Sequence, residues 1–289
     1  YVRARPGYPP QLVDVLRLHC GFVPGIEVAD VGSGTGLFTR LLLENGARVR
    51  AVEPNREMRE AGEELLAGLA GFTSIAAPAE ATGLPEGSVD MVTAAQAFHW
   101  FDRPRARIEF ARILRPRGSV VLVWNDRRLD TTEFLRGYEA LLVQHCPEYL
   151  QVVHRNVTDE VLAEFFHPRG FEAVVLDNVQ VFDWDLLVAR HDSQSYVPKE
   201  GPRRDAARRV GVASIRASTP DLSLICQHRS VPMSFKHASI LSFALIALAC
   251  NGCAHSAPPA RGSIAGNIKH PGAPVPAMRV CAIGSGEPA

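Results

Sequence analysis

Cysteine is nearly missing from most of this chain. Only Cys20 and Cys146 fall within the first 200 of the 289 residues. That excludes a disulfide scaffold there and suits a reducing, cytoplasmic compartment. Net charge is absent too: 31 Lys and Arg balance 31 Asp and Glu. No global basic field exists to recruit nucleic acid or an anionic membrane. No apolar run reaches the ~20 residues that span a bilayer. The run Ile240–Cys250 follows Lys236 and His237 and leads into small residues, so it reads as a secretory or lipoprotein-type signal, and a membrane partner is expected only if 233–253 acts as one. Metal-ligand spacing is also lacking. Cys250-x-x-Cys253 has no second pair, and His145, His154 and His167 lack ligand spacing, so no metal is expected.

What is present is alternation. Apolar residues make up 46% of the chain, enough for a sizeable core. Ile26–Val31, Arg48–Val52, Phe72–Ala76, Val89–Ala95 and Ser119–Trp124 read as strands. Helical patterns separate them: one capped by Thr35 and stopped at Gly46, one capped by Asn55, and one over 104–114. This rhythm predicts an α/β fold, a doubly wound and mostly parallel sheet with right-handed crossovers. Helices at 132–145 and 158–167 and a strand over 172–182 should follow.

The stretch Val28-Ala29-Asp30-Val31-Gly32-Ser33-Gly34-Thr35-Gly36 joins the first strand to its helix. Its glycines allow a tight turn and close approach of backbone to a ligand. The helix start beyond it offers free N–H groups to a polar group. Glu53 ends the next strand, 21 residues after Gly32, where a carboxylate can grip both hydroxyls of a ribose. A dinucleotide site would read G-x-G-x-x-G/A, but Leu37 stands at the third small position. That spacing, with Asp30 ahead of the loop, favours S-adenosylmethionine over NAD. An NAD-linked oxidoreductase and a non-catalytic cofactor-binding or interaction protein are the alternatives.

By these residues the chain resembles the class I S-adenosylmethionine-dependent methyltransferases, especially the small-molecule type 11 group. The likeness rests on Asp30–Gly36, Arg5-Pro6-Gly7-Tyr8-Pro9, Ala51-Val52-Glu53-Pro54-Asn55, Ala79-Glu80 and Asp90–Val92. It continues through Gln96-Ala97-Phe98-His99-Trp100-Phe101 and Leu114-Arg115-Pro116-x-Gly118, covering Tyr1 to about Gly201. It implies a seven-stranded-type sheet and methyl transfer to a small-molecule acceptor without nucleic acid. It also implies that Gly32, Ser33 and Gly34, with Asp30 and Gly36, hold the methionine part of the cofactor. Glu53, beside Pro54, would hold the ribose, Ala79 and Glu80 the adenine, and Gln96 would sit beside the sulfonium. His99 is a candidate general base or a pocket-closing histidine. Tyr8 could fold over the cofactor. Arg117 stands where the group has glycine and reads as a harmless surface change.

After residue 201 the pattern breaks. From 206 onward eight Lys or Arg face only Asp221 and Glu287, and four of the six cysteines lie there. Residues 202–232 read as an irregular linker and 233–289 as a signal- or lipoprotein-like, low-order tail; together, 202–289 read as a different reading frame joined at Met233 to the start of a lipoprotein-like protein. The domain's final antiparallel strand is therefore expected to be missing. The opening at Tyr1, without Met, predicts that residues precede it.

Overall fold

The computed structural model describes residues 7–127, 129, 132–151, 157–194, 196–197, 224–232 and 278–284. The chain divides into two compact units, of which the second, 237–274, lies outside these residues. So do the run 240–250, the Cys pair, and most of the segments expected to form the linker and tail.

Strands β1 (Glu27–Val31), β2 (Arg48–Val52), β3 (Phe72–Ile75), β4 (Val89–Ala95) and β5 (Leu114–Trp124) pair in parallel in the order β3-β2-β1-β4-β5. Alternation along each strand sends neighbours to opposite faces. Val28, Val49, Met91, Val121 and Val123 pack on one side, with α1 (Gln11–Cys20) and α2 (Leu37–Glu44). Ala29, Val92, Val120 and Leu122 pack on the other, with α4 (Arg103–Ile113) and α6 (Asp159–Phe166). Burial on both faces is why these strands read as near-continuous apolar runs. Helix α3 (Arg56–Leu65) is capped as expected: the Asn55 side chain accepts from the Met58 N–H at 3.0 Å. A third cluster joins α5 (Glu133–His145) to α7 (Trp184–Asp192) through Leu135, Leu142 and Leu187.

The structure departs from the sequence reading in five places. Thr35 does not cap α2; Gly36 occupies that position in a left-handed conformation, and no side chain caps the helix. Helix α1 was not anticipated, although Leu12, Val13, Leu16 and Cys20 form its buried stripe and Gly21 closes it. The 202–232 segment contains a strand, β8 (Leu224–Pro232), antiparallel to β7 (Ala173–Phe182). The slot expected to be empty is filled: β9 (Met278–Gly284) pairs antiparallel with Ser119–Trp124 of β5 and with Ala173–Val175 of β7. Averaged over a Pro- and Gly-rich stretch, composition hid the apolar run Val280-Cys281-Ala282-Ile283. Without that strand β5 would be an open edge of unpaired backbone groups. The short β6 (Asp126–Arg127) pairs with β8.

The fifth departure is Arg117. It is exposed but sits at φ 68°, a left-handed conformation that costs a residue with a Cβ about 1–2 kcal/mol. The substitution for glycine is therefore not harmless. Arg117→Gly should raise stability by about 1 kcal/mol in denaturant unfolding; an unchanged midpoint would mean the turn relaxes around Arg117 without strain.

Candidate functional site

Strand order reverses between β1 and β4, and in open α/β sheets ligands bind at the carboxyl ends of strands at such a point. Here the β1 loop and the β4 exit meet. Gly32, Gly34 and Gly36 lie at φ 69°, 56° and 81°. A Cβ on Gly32 would stand 2.4 Å from the Ala97 Cβ and 3.4 Å from the Phe101 ring. A Cβ on Gly36 would stand 2.7 Å from Leu66. One on Gly34 would meet nothing within 4 Å. Thus two glycines serve packing and the middle one opens onto free space.

The loop is fixed to β2 by two kinds of bond. The N–H groups of Gly32 and Ser33 donate to the Val52 carbonyl at 2.8 and 3.2 Å. The Gly34 N–H donates to Glu53 Oε2 at 2.8 Å, while Glu53 Oε1 accepts from the Asn55 N–H at 2.9 Å. Glu53 is only 8% exposed. Sequence reasoning brought Gly32, Ser33, Gly34, Gly36 and Glu53 to one place, and the structure joins them directly. Pro54 follows Glu53 but is exposed.

Asp30 is different. It has no exposed surface, and both oxygens are engaged: Thr39 Oγ donates at 2.6 Å and Thr93 Oγ at 2.8 Å. Burial pushes its carboxyl up to about 6; the threonine hydroxyls pull it back, and the negative charge of Glu53 raises it. Asp30 therefore lies beneath the loop, not in contact with a ligand, which corrects its expected place among the cofactor contacts. Its partners Thr39 and Thr93 were missed. Their signal was a hydroxyl on an otherwise apolar face of α2 and of β4.

Ala79 is buried in the core beside β4, and Glu80 accepts from the Asp102 N–H at 2.8 Å, tying the loop after β3 to the start of α4. Gln96 ends β4 at φ 59°, with its N–H donating to the Val123 carbonyl. Such strain in a residue bearing a Cβ persists only where surroundings enforce it and concentrates at functional sites. It redirects the chain into the turn Phe98–Trp100. Phe98 is fully buried against Phe101, Trp124 and Phe165. Trp100 instead faces outward, 70% exposed, while His99, its ring centroid 5.0 Å from that of Trp100, is half-buried with its Nδ1 shielded from solvent.

The N-terminal segment crosses nearby. Asn178 donates to the Gly7 carbonyl at 2.9 Å and to Asn125 Oδ1 at 3.0 Å, and the Tyr8 ring meets Phe38 of α2 at 4.9 Å. Beyond β5, Glu139 accepts from Arg127 and Tyr149, and Arg127 covers the Tyr138 ring at 4.9 Å. Among the described residues no helix is long and apolar enough to cross a membrane.

This architecture defines a doubly wound domain in which a glycine loop meets a strained strand exit at the carboxyl edge of the sheet. Residues 29–122 match the family model described as a methyltransferase domain. An uncharacterised methyltransferase of Mycobacterium tuberculosis is 43% identical over 129 residues, 44% of this chain and 49% of that protein. One from Schizosaccharomyces pombe is 32% identical over 177 residues, 59% and 64% of the two chains. The chain spans about half the length of the mycobacterial relatives it matches. The solved structure of a candidate type II methyltransferase from Anaeromyxobacter dehalogenans superposes with a TM-score of 0.60 at 26% identity, over 80% of this chain and 96% of that one. Residues 29–122 are thus similar to a methyltransferase domain, and the fold is that of a solved methyltransferase structure.

The glycine geometry separates two roles by stability. Gly32→Ala should cost roughly 3 kcal/mol, combining left-handed strain with a forced retreat from Ala97. Gly34→Ala should cost only the ~1–2 kcal/mol of strain. Chemical denaturation compares them; equal losses would mean that contact between loop and turn does not set the Gly32 requirement.

Proposed function

We propose that this protein transfers a methyl group from S-adenosylmethionine to a small-molecule acceptor by direct displacement. The observation that carries the reading is the Gly34 N–H held on the Glu53 carboxylate at 2.8 Å, at the point where strand order reverses. The residues present fit the cofactor. Gly34 leaves open a space that a Cβ would fill. Each Glu53 oxygen has one protein donor and keeps acceptor capacity. When bound, S-adenosylmethionine supplies a methyl group already activated on sulfur.

The chain's own work is to hold and to exclude. Gly32, Ser33, Gly34 and Gly36 present backbone to the amino-acid end, and Glu53, with Pro54 at its side, grips the ribose. Ala79 and Glu80 would flank the base, and Gln96 would stand on the side of the sulfonium. His99 accepts the acceptor's proton where the nucleophile carries one. The exposed Trp100 offers a flat surface for the acceptor at the same rim. Alignment of this kind is worth up to roughly 7–11 kcal/mol of barrier. The low cysteine content of the first 200 residues supports a cytoplasmic setting.

NAD chemistry is the reading to set aside: Leu37 occupies the position a dinucleotide loop reserves for a small residue, and the family match points elsewhere. Titration with S-adenosylhomocysteine and with NADH should give binding of the first alone; the reverse would overturn the assignment. Glu53→Ala should weaken S-adenosylhomocysteine binding by ~1–3 kcal/mol, about 10- to 100-fold in Kd, through lost charge-assisted hydrogen bonds. Unchanged affinity would remove Glu53 from the ribose site.

A further inference from the structure

We infer that Asp30 is the positioning residue of the glycine loop: its carboxylate, buried beneath the loop, ties α2 through Thr39 and β4 through Thr93 and so sets where the loop amides point. The loop Gly32–Gly36 lies between Asp30 and Thr39 in the chain. The Thr39–Asp30 bond at 2.6 Å closes it like a clasp. The Thr93–Asp30 bond at 2.8 Å joins the same carboxylate to β4, in register with Asp30 across the sheet. Beyond Thr93, β4 ends at Ala95, and the chain turns through Gln96 to Ala97, whose side chain faces Gly32. One side chain thus couples both walls of the crevice, the loop and the strand exit, without reaching the crevice itself.

The electrostatics agree with a strut rather than a ligand contact. A carboxylate with no exposed surface loses its hydration, and two short hydroxyl donors partly replace it. The charged group acting on it is Glu53 at the end of β2; Thr39 from α2 and Thr93 from β4 are neutral donors. Loss of either hydroxyl leaves a buried charge with one donor, which costs more than the bond itself. A protonated Asp30 can donate to one threonine and accept from the other, so Asn at this position can keep both contacts with one hydroxyl reversed.

The experiment is hydrogen exchange on the full chain, followed over residues 31–39, with a melt and S-adenosylhomocysteine titration of the same variants. Asp30→Ala, Thr39→Val and Thr93→Val should each speed exchange in this segment about tenfold or more, while Asp30→Asn stays within about threefold of wild type. Leu142→Ala, in the separate third cluster, lowers the melting temperature and should leave loop exchange unaltered; a general loss of stability would move both alike. The pH profile gives a second readout. The raised carboxyl of Asp30 makes its contribution fully present below the usual carboxylate range and lost as pH rises through about 6. The melting temperature of wild type relative to Asp30→Asn should therefore fall between pH 4 and pH 7. The titration arm rests on the methyltransferase reading. Should S-adenosylhomocysteine fail to bind wild type while exchange responds as stated, the cofactor assignment fails and the strut stands. Wild-type exchange rates in Asp30→Ala and Thr39→Val overturn the strut; a flat melting difference with pH overturns only the raised carboxyl and leaves the strut to the exchange result.

Discussion

The bond from the Gly34 N–H to the Glu53 carboxylate joins the first turn of the sheet to the second strand, and the crevice depends on it. Without it, the middle of the loop, at Gly34, loses its tie to β2, at a residue free to sample either sign of φ. With it, the loop has a fixed distance from β2, and the Val52 carbonyl holds its base by accepting from the Gly32 and Ser33 N–H groups. Glu53 also takes the Asn55 N–H. It therefore fixes the entry of α3 with one oxygen and the loop with the other. Removing its side chain disturbs two elements, so stability must be measured beside affinity when its role is judged.

Much of this was legible because the relevant signals are local. Strand ends, glycines and a capping Asn act within a few residues, and the parallel core writes itself as apolar runs buried on both faces. The grouping of Gly32, Gly34 and Glu53 followed from two strand ends in adjacent positions. What stayed hidden was non-local. Thr93 lies 63 residues from Asp30, and no spacing rule connects them. Arg117 shows another gap: side-chain type says it belongs on a surface, which it does, but only φ shows the strain. Helix α1 has no side-chain cap at its start, where Pro10 stands, so its short apolar stripe has no local start signal.

The C-terminal strands show where composition misleads. A segment dominated by Pro, Gly, Ser and Ala reads as unable to order itself. Yet a parallel sheet ending at β5 offers six consecutive paired positions, Ser119 to Trp124, to any short apolar stretch that can reach them. Seven residues suffice to occupy that edge. The demand comes from the edge rather than from the average character of the sequence supplying it. The same holds for β8, which lies alongside β7 through seven residue pairs.

Two carboxylates near one loop end with opposite tasks, and their surroundings decide which. Glu53 meets backbone N–H groups at the crevice wall and keeps lone pairs for a partner. Asp30 meets two hydroxyls in full burial and has neither space nor spare geometry for a ligand. Both carry the same functional group, so sequence alone ranks them together. Their partners separate them: Glu53 has one backbone donor on each oxygen, whereas Asp30, with no exposed surface, has its charge met by two side-chain hydroxyls from neighbouring elements. On the proposed reading, the acidic residue ahead of the glycines would act on a cofactor through the frame it holds, and the acidic residue one strand over would act by touch.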